Sequence, residues 1–155
     1  MKNSKQFIDQ DNSRLDEQKK VMAEIADQAH CPFCRENLEK YHKRPILKEG
    51  RFWLITENQW PYEHVKHHWL AIYKSHAETL TELDPAAGSE LIQLCAEMVQ
   101  EFQVAGGALC MRFGDTDHSA GTVLHLHAQL IEPDIDAPDY QPVRFKIGKS
   151  PEKIL

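Results

Sequence analysis

Val123-Leu124-His125-Leu126-His127-Ala128-Gln129-Leu130-Ile131 is the stretch on which the reading of this chain turns. Successive side chains of a strand point to opposite faces, so His125, His127 and Gln129 are expected to project together while Leu126, Ala128 and Leu130 face the other way. The apolar flanks favour a buried strand over a surface polar run. Two imidazoles and an amide on a buried face form either a functional site or a satisfied polar pair within the sheet, and the rest of the chain has to decide between them.

The chain has 155 residues, enough for one domain with a core that needs no disulfides. With 24 acidic against 18 basic residues the formal net charge is −6, which disfavours general affinity for nucleic acid or an anionic membrane surface. Any phosphate site must then be local. Met1-Lys-Asn-Ser-Lys-Gln6 and the charged residues after it lack the apolar core of a signal peptide or a membrane span, so the expectation is a cytoplasmic protein without a membrane partner.

Outward from the histidines, the expected architecture is α+β. Ser13-x-x-Asp16 has the form of a capping box, and Leu15, Met22, Ile25 and Ala29 recur at roughly helical spacing, which predicts a helix over 13–29. Arg51–Thr56 and His68–Tyr73 are β-rich runs joined through Trp60-Pro61-Tyr62. Asp84-Pro85 is a cap and first-turn pair, after which Leu91, Leu94, Cys95, Met98 and Phe102 make one stripe as far as Gly106-Gly107. Leu109–Phe113, Val123–Ile131 and Val143–Ile147 complete a mainly antiparallel sheet, with 114–121 as a polar loop. Glu132–Asp139 is expected to be a solvated acidic turn.

Cys31-Pro32-Phe33-Cys34 has a spacing that in a reducing compartment points to metal or redox chemistry. A structural zinc wants four ligands, so two donors would have to come from elsewhere, and histidines are the obvious source. No thioredoxin-like βαβ pattern surrounds the pair, which favours the metal over the redox reading. Cys95 and Cys110 lie in apolar runs and are expected to be small core residues. His30, His42 and His118 fall in loops or near element ends, where solvation is the simplest expectation.

Three pieces, in this order, resemble the histidine triad superfamily: Cys31-Pro-Phe-Cys34, His68-Trp-Leu-Ala-Ile-Tyr-Lys-Ser-His76 and Thr122-Val-Leu-His-Leu-His-Ala-Gln129. Glutamine in place of the third histidine is similar to the branch of galactose-1-phosphate uridylyltransferases and diadenosine-polyphosphate phosphorylases. The resemblance covers 31–131 of a single domain spanning 1–155, leaving outside it the helix at 13–29 and a C-terminal strand and tail at 140–155. It implies a histidine-triad-like α+β fold, and a structural zinc on Cys31, Cys34, His76 and His125. It further implies a nucleotide or nucleotide-conjugate substrate, and a homodimer.

The resemblance also assigns the chemistry. His127 takes the place of the family nucleophile, which attacks a nucleotide phosphorus to leave a nucleotidyl-histidine. Gln129 can donate a hydrogen bond to a phosphoryl oxygen but cannot relay a proton, which leans the reading towards transfer to a phosphate-bearing acceptor. Thr122 is expected to contact phosphate. Either Phe52 with Leu54 or Trp53 with Ile55 is expected to join Trp60 and Tyr62 in a base pocket, the face bearing Trp53 being preferred for its larger ring. Arg112, Arg144, Lys146 and Lys149 are candidates for neutralising a phosphate chain. Arg112-Phe113-Gly114-Asp115 departs from the family, which commonly has asparagine there, and Gly121 lies nearer Thr122 than usual. The expected function is therefore a nucleotidyl transferase or hydrolase. The alternative is a zinc-stabilised nucleotide-binding module without significant turnover.

Overall fold

A computed structural model describes residues 7–151. Its strands are β1 (Ile46–Glu49), β2 (Trp53–Glu57), β3 (Val65–Tyr73), β4 (Ala108–Met111) and β5 (His127–Pro133), and its helices are α1 (Asp16–Asp27), α2 (Arg35–Tyr41), α3 (Pro85–Glu101) and the short α4 (Thr116–Ser119). The five strands form one antiparallel sheet in the order β1-β2-β3-β5-β4, as expected of an α+β domain. No helix among the described residues is long and apolar enough to cross a membrane.

Strand parity divides the side chains between two layers. Trp53 pairs with Tyr73, Ile55 with Ala71, Trp69 with Leu130 and Ala71 with Ala128, and these residues face α3 in the main core. The other set, in which Leu54 pairs with Ile72, Leu70 with Gln129 and Ile72 with His127, faces away from α3. Leu54, Leu70 and Ile72 there form a smaller cluster with Leu38 of α2 and Phe33 of the cysteine segment.

The long helix α3 forms as its sequence directs. The Asp84 side chain accepts the Ala86 N–H at 2.8 Å, Pro85 opens the first turn, and Ala87, Leu91, Leu94, Cys95 and Met98 are the buried stripe. From the second turn of α3, Glu90 accepts the N–H groups of Arg51, Phe52 and Trp53 at 2.7, 2.7 and 2.9 Å, so one carboxylate caps the β1–β2 turn. A side chain on Gly50 would collide with that carboxylate, since a Cβ there would lie 2.6 Å from Glu90 Cδ.

Several expectations need correction. Ser13 does not cap α1: its N–H closes a 3-10 turn on the Gln10 carbonyl, its hydroxyl is buried without a partner, and the helix starts at Asp16 after Leu15. The run 143–147 forms no strand. It is irregular chain anchored by Arg112, whose Nε and Nη2 donate to the Lys146 carbonyl at 3.0 and 2.6 Å. Glu132 is not a solvated turn residue but ends β5 buried, with Oε1 accepting the Ala105 N–H at 3.1 Å. Strand β5 begins at His127, so His125 precedes it in irregular chain. Helix α2 and strand β1 are not among the elements expected from the sequence.

The N-terminal segment is laid on the run that leads into β5. Asp9 N–H donates to the Thr122 carbonyl and Leu124 N–H to the Phe7 carbonyl, each at 2.8 Å, around a bridge between Ile8 and Val123. Met22 and Ile25 of α1 then pack with Ile8, Tyr41 and Val123, against Phe33 and Trp60. The helix that lies outside the triad-like core is thereby fixed beside the His127 face of the sheet.

Glu90→Ala is expected to lower the folding free energy by about 2–3 kcal/mol, because three backbone donors lose a charged acceptor. Urea unfolding measures this, and an unchanged midpoint would show that the turn does not depend on Glu90.

Candidate active site and metal cluster

Cys31, Cys34, His76 and His125 converge, their ligating atoms all lying within 4.8 Å of one another. Cys31 Sγ is 3.3 Å from His125 Nδ1, and Cys34 Sγ is 3.5 Å from His76 Nδ1 and 3.8 Å from His125 Nδ1. Bonds of about 2.3 Å to sulfur and about 2.1 Å to nitrogen at a tetrahedral ion separate sulfur from nitrogen by about 3.6 Å, so the spacing suits one ion. The tautomers agree. His125 Nε2–H donates to the Tyr73 carbonyl at 2.5 Å and His76 Nε2–H to Glu78 at 3.0 Å, which leaves both Nδ1 lone pairs aimed at the thiols.

Burial pushes the Cys31 thiol up to about 12 and raises Cys34 as well, the environment of a thiol that ionises only when a cation is supplied. An activated redox thiolate needs the opposite shift. The donor set therefore fits a metal and can hold one.

His127 and Gln129 share a strand face. His127 Nδ1–H donates to the His125 carbonyl at 2.7 Å, so Nε2 carries the free lone pair. Burial holds this imidazole down at about 4, with Arg112 adding a smaller push in the same direction, and it is neutral at pH 7. Gln129 is buried, and its Oε1 accepts from His68 Nε2–H at 2.8 Å. His68 Nδ1 in turn accepts the Tyr62 N–H at 3.0 Å, which fixes that tautomer, and burial lowers His68 to about 4. The amide of Gln129 is thereby oriented with its oxygen occupied and its NH2 available as a donor. His68 opened one of the three motif pieces but was given no role. Its parity with Leu70 on β3 was the available signal.

The cleft over these residues is lined on its apolar side by Met22, Phe33, Trp60, Leu70 and Val123. Thr122, Tyr62 and Arg112 also line it, so Thr122, Trp60, Arg112, His127 and Gln129 are brought together. Trp53 is not. Its ring is fully buried on the α3 side, with Nε1–H donating to the Ala87 carbonyl at 2.7 Å and its centroid 5.0 Å from that of the tilted Tyr73 ring, and the large area that suggested stacking on a base is spent in the core. Phe52 also belongs to the core layer, and Leu54 to the cluster beneath the cleft.

His42 is not a solvated loop residue. It is half-buried against the Thr56 hydroxyl at 2.8 Å and lines the cleft. His30 is half-buried with an unpartnered Nε2, whereas His118 is exposed as expected. Cys95 is buried and Cys110 only half-buried.

No protein-family model and no curated protein matches the chain. Solved structures do. A hypothetical histidine triad nucleotide-binding protein from Sulfolobus tokodaii strain 7 aligns with a TM-score of 0.53 at 25% identity, over 79% of this chain and 82% of that one. A Zn-bound histidine triad family protein from Mycobacterium smegmatis aligns at 0.52 and 23% identity, over 74% and 82%. A histidine triad protein from Clostridium difficile aligns at 0.54 and 19% identity, over 72% and 96%. The chain has the fold of these histidine triad proteins.

The cluster is expected to bind one divalent ion per chain. Glu78→Gln, which weakens the acceptor orienting His76, is expected to reduce metal affinity about 10–100-fold. Competition with a chromophoric chelator measures this, and unchanged affinity would remove Glu78 from the site.

Proposed function

We propose that this protein is a nucleotidyl transferase or hydrolase, acting on nucleotide phosphoesters or phosphoanhydrides through a covalent nucleotidyl-histidine. One observation carries the reading: the hydrogen bond from His127 Nδ1–H to the His125 carbonyl leaves a neutral imidazole whose free Nε2 belongs to a cleft with an apolar wall. A nucleobase suits Met22, Phe33 and Trp60, and an aromatic face there adds stacking. The fold shared with a hypothetical histidine triad nucleotide-binding protein supports the substrate class.

In the first step the Nε2 lone pair forms a bond to phosphorus, and the bond from phosphorus to the leaving oxygen breaks with its electron pair going to that oxygen. The positive charge developing on the ring is held by the Nδ1–H bond to the carbonyl. Gln129 NH2 and the Thr122 hydroxyl are the donors to the phosphoryl oxygens. In the second step an acceptor oxygen attacks phosphorus, the phosphorus–nitrogen bond breaks and its electron pair returns to Nε2. An acceptor that is water gives hydrolysis, its proton being released to solvent, and an acceptor phosphate, which has no proton to lose, gives transfer, towards which Gln129 leans the reading.

Zinc is the ion we assign to Cys31, Cys34, His76 and His125. When bound it supplies a cross-link that fixes the cysteine segment to the chain entering β5, and no Lewis-acid chemistry at the substrate. The open edge at β4, with Leu109 exposed, is compatible with the homodimer that the resemblance implies.

His127→Ala is expected to lower turnover of p-nitrophenyl nucleotides by at least about 10³-fold, while nucleotide affinity measured by calorimetry changes less than about threefold. Wild-type protein that binds nucleotide but turns over no donor would favour the binding-module alternative.

A further inference from the structure

The apolar wall of the cleft is indifferent to the identity of a base. Met22, Phe33, Trp60 and Leu70 offer area and stacking, and every base has a π-face. Two polar side chains on the same lining, His42 just past α2 and Gln59 just past β2, belong neither to that wall nor to the group around His127. Both lie outside the three sequence pieces that carry the histidine triad resemblance.

His42 has its tautomer set from behind. The Thr56 hydroxyl, on a residue with no exposed surface, donates to the Pro45 carbonyl at 2.8 Å, so its oxygen accepts from His42 Nε2–H, also at 2.8 Å. The lone pair of the ring is therefore on Nδ1. Burial lowers this imidazole, Arg44 adds a smaller push in the same direction, and at pH 7 it is a neutral acceptor and not a cation.

Gln59 is fixed in the complementary sense. The N–H of Lys43, the residue after His42, donates to Gln59 Oε1 at 2.8 Å, which orients the amide and leaves its NH2 as a donor. Among the described residues neither His42 Nδ1 nor the Gln59 NH2 has a partner within the chain, and neither is a buried orphan. One acceptor and one donor, each held by a hydrogen bond on its far side, are thus set in place at the cleft before any ligand arrives.

Building on the reading of this cleft as a nucleotide site, we propose that His42 and Gln59 determine base specificity by pairing with the edge of the base, His42 Nδ1 accepting a base N–H and the Gln59 NH2 donating to the oxygen or ring nitrogen beside it. The apolar residues hold the face of the base, and the polar pair selects its edge. A hydrophobic pocket alone discriminates weakly between isosteres, whereas a site whose hydrogen-bonding groups are left unmatched rejects the wrong ligand strongly. Guanine alone among the four common bases presents two adjacent N–H donors, N1–H and N2–H, on one edge. The polarity of residue 59 therefore has a readable consequence.

Calorimetry on the metal-loaded full chain with AMP, GMP, CMP and UMP tests this. Wild type is expected to bind its best and worst monophosphates at least about 10-fold apart. In His42→Phe and Gln59→Leu the best-bound base is expected to lose most, narrowing the spread to about threefold or less. Gln59→Glu keeps an oxygen for the Lys43 N–H but turns the donor into an acceptor, and is expected to raise affinity for GMP relative to the other three about 10-fold.

Gln59 is a half-buried residue outside the core clusters, so its variants report even if loss of His42 disturbs the contact between α2 and β2. Four monophosphates bound within about threefold of one another by wild type, or a Gln59→Leu variant that weakens all four by the same factor or none of them, would overturn the inference and leave the nucleotide site standing. No binding of any monophosphate would overturn the nucleotide reading beneath it as well.

Discussion

Two backbone carbonyls set the chemistry of two neighbouring histidines. The Tyr73 carbonyl takes the Nε2 proton of His125, which turns Nδ1 towards Cys31 and Cys34. The His125 carbonyl takes the Nδ1 proton of His127, which leaves Nε2 free. Imidazoles two residues apart therefore present opposite nitrogens, one to a metal cluster and one to the cleft. Because β5 begins only at His127, the irregular chain before it lets His125 depart from strict alternation while its carbonyl stays in reach of the next histidine. Phe33, edge-on to both rings at 6.1 and 4.9 Å, packs between the two uses.

The sheet supplies the remaining order through parity. The layer facing α3 is filled by Trp53, Trp69, Tyr73 and Met98, all buried. The opposite layer is shallow, being Leu54, Leu70 and Ile72 topped by His127, Gln129 and His68, and it is covered by segments rather than by a second helix of α3's length. Residues 7–27 and 140–150 lie outside the pieces resembling the family, yet Asn12, Arg14, Met22 and Lys146 line the cleft. Specificity can thus be altered in those segments without disturbing the core.

The sequence made legible what depends on residue type and spacing. The four metal donors converge as the family resemblance implied, since residue type and spacing pointed only to the cysteine pair, whereas the Asp84-Pro85 start of α3 and its buried stripe follow from local rules, and His127 and Gln129 share a face by alternation. What escaped depends on long-range placement. Trp53 and Leu54 alternate on one strand, and only the position of α3 decides which of them is core. Glu132 sits in an acidic run, but its backbone belongs to β5 and carries it inside. Val143–Ile147 has β-like composition but pairs with no strand, and its anchor is an arginine in another part of the chain, Arg112 just beyond β4. Arg14 gave no signal, because a single arginine near a helix start gains meaning only from the Tyr62 ring beneath it.

The central claim is that His127 Nε2 becomes bonded to phosphorus. Intact-mass spectrometry of protein mixed briefly with a nucleotide donor and quenched under mildly alkaline conditions, which preserve the phosphorus–nitrogen bond, tests it most directly. The account predicts a mass increase of one nucleotidyl group on the wild type, located at His127 by peptide mapping and absent from His127→Ala. Donor consumption without an adduct under single-turnover conditions, or an adduct that persists in His127→Ala, would contradict it.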